Sequence, residues 1–130
     1  MSEQELSSVT GLAADRPATV RLLDVGDGML ALETAKEKGP QRVDFPRSLA
    51  AQIADAVRAI TAEEEPEEIE LRGDGETIYV HPVTHPFGCD AMVENRARHP
   101  RGYAHQAQHV HIAFELGAQV ADALAAVATD

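Results

Sequence analysis

Residues 49–57 read LAAQIADAV, and residues 116–124 read LGAQVADAL. In the first, Leu49, Ile53, Val57 and then Ile60 recur at steps of four, four and three. In the second, Leu116, Val120, Leu124 and Val127 do the same. That period lays one apolar stripe along an α-helix. The pattern predicts a helix from Pro46, a residue suited to a first helical position because it has no N–H to leave unpaired, to about Thr61. It predicts a second helix over Leu116–Ala128. Each follows a short alternating run: Gln41–Phe45 with Val43 and Phe45 on one side, and His109–Phe114 with Val110, Ile112 and Phe114 on one side. Alternation of period two is the mark of a half-buried strand.

Further towards each helix's N-terminal side lies a hairpin signal. Val20 and Leu22 lead through Gly26-Asp27-Gly28 to Leu30 and Leu32; Ile69 and Leu71 lead through Gly73-Asp74-Gly75 to Ile78 and Val80. Asp-Gly between alternating runs accepts the positive φ that tight hairpin turns require. Hairpin, strand and helix thus occur twice in the same order. The expected fold is α+β: a tandem pseudo-twofold repeat of β-β-β-α units, forming an antiparallel sheet with two helices on one face. Residues 1–16 read as a flexible N-terminal tail and 17–130 as a single domain. Repeat one spans 17–61 and repeat two 67–130, with the acidic TAEEEPEE over 61–68 as a solvated connection. The halves differ between their second and third strands. The first spends Ala35–Pro40 there, whereas the second carries a long insertion loop, 82–108, and loops of that length are often functional.

Composition narrows the function classes. A chain of 130 residues is one domain by length, and three Phe, two Tyr and no Trp make its core aliphatic. A formal charge of −11 at pH 7 disfavours nucleic acid and anionic membrane, both of which call for a basic surface. The single cysteine, Cys89, leaves no intrachain disulfide and fits a reducing compartment. The start, MSEQELSSVTGLAADRP, lacks the basic and apolar regions of a secretory signal, so a soluble cytoplasmic protein is expected.

Residues 81–111, HPVTHPFGCDAMVENRARHPRGYAHQAQHVH, hold all six histidines and the cysteine. Imidazole is the commonest metal ligand. If Val110, Ile112, Ile78 and Val80 face the helices, then His109, His111 and His81 share the opposite face. Pairing of their two strands would bring those three rings together as a tripod for zinc. His85, Cys89, His99 or His105 would complete the coordination from the insertion. Three histidines with an open position would suit catalysis, and a thiolate as fourth ligand would suit a structural site. Arg96, Arg98 and Arg101 make the insertion locally basic and are candidates for an anion or partner contact, since guanidinium grips carboxylate or phosphate bidentately.

Gly102…His109-Val110-His111…Glu115 resembles a fragment of the first cupin motif over about fourteen residues, but no second motif follows. In topology alone, tandem strand-rich units each ending in a helix look like Pur-type single-strand nucleic-acid binding domains, although the stacking aromatics of such surfaces are scarce here. The leading expectation is a small zinc-binding protein of regulatory or accessory role, more a binder than an enzyme. A metal-free module for a protein partner, a second copy of itself or single-stranded nucleic acid is the alternative. A small metal-dependent hydrolase with Glu94 or Glu115 as base stands third.

Overall fold

The structure, a computed structural model, describes residues 3–35, 40–98 and 107–128. Its strands are β1 (Gln4–Ala13), β2 (Arg16–Gly26), β3 (Met29–Thr34), β4 (Gln41–Pro46), β5 (Ile69–Gly73), β6 (Glu76–His85), β7 (Gly88–Asn95) and β8 (Gln108–Ile112). Helix α1 (Ala50–Thr61) follows β4 and α2 (Gly117–Ala128) follows β8, each through a short 3-10 turn. All eight strands form one antiparallel sheet in the order β1-β2-β3-β4-β8-β7-β6-β5.

Both Asp-Gly turns form where the sequence puts them. Asp27 and Gly28 have φ of 58° and 77°, and Asp74 and Gly75 have φ of 50° and 78°. These left-handed pairs match the twist of the flanking strands. The expected flexible tail is instead a ten-residue edge strand, β1. Its turn to β2 is made by Ala14 (φ 51°) and Asp15 (φ 63°), with no glycine to announce it. A non-glycine residue in that region costs of order 1 kcal/mol, so it persists only where strand pairing on both sides imposes it. Among the described residues four strands, not three, therefore precede each helix.

Where it is described, the expected insertion loop is largely sheet. β6 continues through Pro82 to His85, turns at Pro86-Phe87, and returns as β7. A proline inside a strand is tolerable where its missing N–H faces no neighbour. That condition holds here, because the last β5 partner on this strand is Ile69 opposite Val80. β7 thus lies between β6 and β8, whose direct pairing is the condition for the expected tripod.

The helices cover one face. Ile53, Val57 and Ile60 of α1, and Val120, Leu124 and Val127 of α2, join Leu22, Leu32, Val43, Phe45, Ile78, Val80, Val93, Val110 and Ile112 in a single buried cluster. Phe45 sits inside β4, followed by Pro46. Phe114 opens the 3-10 turn before α2, beyond the end of β8, so the two phenylalanines do not occupy matching places. The chain enters α1 from its own 3-10 turn, Arg47–Leu49, with Pro46 closing β4 rather than starting the helix.

The two halves of the sheet meet at a narrow joint, with Arg42 opposite His109 as the registered Cα pair. Side chains supply the remaining bonds. The Gln41 Oε1 accepts the His111 N–H at 3.0 Å, and the Gln108 Oε1 accepts the Asp44 N–H at 2.9 Å. Asn95, fully buried, donates from Nδ2 to the Asp44 carbonyl at 3.0 Å. Gln41→Ala and Gln108→Ala are each expected to cost about 1 kcal/mol, read from the urea midpoint. No change in either would mean that water replaces these bonds.

Candidate functional site

Strand parity places the expected histidines on the helix-free face. Across the sheet, Arg21, Glu33, Arg42, His109, Glu94 and Tyr79 stand in one row, and His81, Met92 and His111 stand in another. The face is shared, but the rings do not converge. His81 Nε2 meets Glu94 Oε1 at 2.9 Å. His111 Nε2 meets Asp90 Oδ2 at 2.7 Å, and His85 Nε2 meets Asp90 Oδ1 at 3.1 Å. His109 Nε2 lies 3.2 Å from the Gln41 amide nitrogen.

The partners assign the tautomers. An ionised carboxylate only accepts, so His81, His85 and His111 each donate from Nε2. For His85 this agrees with its other nitrogen, which accepts the Phe87 N–H at 3.3 Å. His109 donates from Nδ1 to the Ala107 carbonyl at 3.1 Å, leaving Nε2 to accept from Gln41. Each of the four rings thus has its Nε2 in a bond to a neighbouring side chain. Among the described residues no group of three His, Cys, Asp or Glu side chains is arranged to hold a metal.

Other expected ligands are placed elsewhere. Cys89 is buried in the cluster under the helices, on the opposite face from the histidines, with its thiol 4.0 Å from the Thr84 hydroxyl. Parity fixes this, since Cys89 alternates with Asp90 along β7. His99, His105 and Arg101 lie outside the described residues. Arg96 stacks 3.8 Å over the Tyr79 ring and pairs with Glu68 and Glu94, and Arg98 holds Glu76 at 2.7 Å. These two guanidiniums tie the strand ends together through neighbouring acids. Glu94 is likewise committed to His81 and Arg96, and Glu115 accepts the Ala14 N–H at 3.1 Å.

The residue that sequence reasoning missed is Asp90. It is 9% exposed, yet it accepts hydrogen bonds from His111, from His85 and from the Phe114 N–H at 2.8 Å. Burial pushes its carboxyl up, but the bonds from His111, Phe114 and His85, with the charge of His111 added, outweigh burial. Its pKa therefore lies below the ordinary aspartate value. One signal was available: Asp90, like Glu94, is an acidic residue on the same strand parity as Met92 in the histidine-rich stretch.

Asp90 and His111 also line a cleft of about 480 Å³ with Ala13, Arg16, Thr19 and Thr34. The cleft arises from strand lengths. Val20 faces Thr34, the last residue of β3, so the Arg16–Thr19 part of the β1–β2 hairpin runs on without a β3 neighbour. The hairpin end instead approaches the start of α2, where Ala14 meets Glu115. Between that overhang and the end of β8 a gap remains, with His111 on its wall.

No known family model matches this chain, and no curated protein matches it at a significant level. Among the described residues no helix is long and apolar enough to cross a membrane.

Proposed function

We propose that the chain is a metal-free binding module that takes a small polar molecule into the cleft beside His111. The observation that carries this reading is a buried, ionised carboxylate orienting an imidazole at the wall of a cavity of ligand-binding size. Because Asp90 holds the Nε2 proton, the neutral His111 ring has Nδ1 as its acceptor, and the protonated ring gains a donor there. Arg16, Thr19 and Thr34 are the other polar residues of the lining, the two hydroxyls being bonded to Thr10 and Gln41 respectively. A molecule bearing a carboxylate or several hydroxyls suits this lining. No activated nucleophile accompanies the His111–Asp90 pair among the described bonds, so binding is favoured over catalysis.

Amide NMR spectra recorded with a panel of small dicarboxylates and polyols test the reading. Shifts are expected to gather at Thr19, Thr34, His111 and Ala113 and to vanish in His111→Phe. Scattered shifts, or none at millimolar probe, would remove it. Zinc is expected to be substoichiometric in untagged protein by elemental analysis. One full equivalent, lost when His85 and His111 are both replaced by alanine, would restore the metal reading in its place.

The fold itself is read here as a duplicated unit of four strands and a helix. Support comes from the joint: Gln41 bonds the residue three beyond Gln108, and Gln108 bonds the residue three beyond Gln41. Such reciprocity is what a twofold between β4 and β8 would produce. It agrees with the matched nonapeptides in α1 and α2.

A further inference from the structure

The two edges of the sheet are unlike. β5 is five residues long, carries Glu70 and Arg72 paired at 2.8 Å, and follows the acidic segment broken by Pro66. Short length, charge and a nearby proline are the means by which natural sheets keep an edge from pairing. β1 has little of this protection. It runs for ten residues, and from Leu6 to Ala14 it carries no charge in a chain of net −11. The register shift between Glu5 and Ser7 disturbs only its first turn of pairing. Leu6 and Val9 pack on the core and hold the strand in place, while Ser8, Thr10 and Leu12 are exposed, Leu12 at 61%. Among the described residues no strand pairs with the outer side of β1.

From this we infer that β1 is an interface, and that its occupant is β1 of a second copy of this chain, paired antiparallel into a continuous sheet. Three features select that occupant. A twofold axis across an edge strand generates antiparallel pairing, so the contact is self-complementary. The assembly closes at two copies because the β5 edge is blocked by its charges. Two bodies of charge −11 repel, and the neutral stretch of β1 is where they approach at least electrostatic cost. The backbone groups on the outer side of β1 then exchange water for ladder bonds, and Leu12 is covered.

Sedimentation of the full chain over a range of concentrations, with amide hydrogen exchange, tests this. A reversible dimer is expected, with alternate β1 amides slow to exchange when concentrated and fast on dilution. The double variant Ser8→Lys with Leu12→Lys keeps the inward Leu6 and Val9 and sets like charges across the axis. It should weaken the dimer at least about tenfold, while circular dichroism and thermal midpoint stay near those of the parent. Should the variant fail to fold, the exchange pattern of the parent still decides. A monomer at every concentration up to about 1 mM would overturn the inference. So would a dimer whose β1 amides exchange fast throughout.

Discussion

Replacing Asp90 with alanine is expected to lower stability by about 3 kcal/mol, and the thermal midpoint by roughly 10 °C. The carboxylate is the acceptor for three donors drawn from β6, β8 and the turn into α2. Its loss leaves the Phe114 N–H and two imidazole N–H groups without it, and bonds to a charged acceptor are the stronger kind. The rings are about 30% exposed, so water recovers part of the loss. Asp90→Asn should fall between the two, because its amide NH₂ meets an imidazole that is itself a donor. The pH dependence has a definite sign. A carboxyl whose folded pKa is depressed contributes stability above its unfolded pKa of about 3.9, and that contribution is lost as pH falls through the lower folded value. The parent should therefore lose stability on the acid side of pH ~4, and Asp90→Asn should show a flatter profile there. Equal slopes for the two proteins would show that Asp90 gains nothing from its partners.

Gly117→Ala is expected to destabilise by about 2 kcal/mol, although alanine is the better helix former by about 1 kcal/mol. A Cβ at this position would collide with the Thr61 hydroxyl oxygen and lie 2.7 Å from the Thr61 Cβ. The first turn of α2 passes against the last turn of α1 at that point, where Thr61 also donates to the Val57 carbonyl at 2.7 Å. Rotating the threonine relieves the hydroxyl contact but not the Cβ contact, so the helices must separate. Thr61→Ala should rescue little for the same reason, and Thr61→Gly should rescue most of the loss. Urea denaturation of the four proteins in the cycle measures the coupling. Additive effects would mean that the cost of Gly117→Ala does not come from Thr61.

The same residues show why the site was only half legible. Parity along a strand is local, so the common face of His81, His109 and His111 followed from Ile78, Val80, Val110 and Ile112. Which strands are neighbours is not local. β7 entered between β6 and β8 because Pro82 proved compatible with an open edge, and the text of the chain suggests a break at that proline. The rings were then matched one by one with Glu94, Asp90 and Gln41, and a tripod needs convergence rather than a shared face. Cys89 followed the opposite parity and went under the helices.

The chain's own letters determined the two amphipathic helices, the Asp-Gly hairpins, and the antiparallel sheet they imply, because each rests on a spacing or a backbone angle set within a few residues. Packing alone decided that the first sixteen residues contain an edge strand, since the Ala14-Asp15 turn has no local preference for its positive φ. Packing also decided that His85 and His111 both meet Asp90. The His85 bond spans the β6–β7 hairpin, but the bond from His111, twenty-one positions along the chain from Asp90, depends on strand order, and strand order is chosen by burial across the whole sheet.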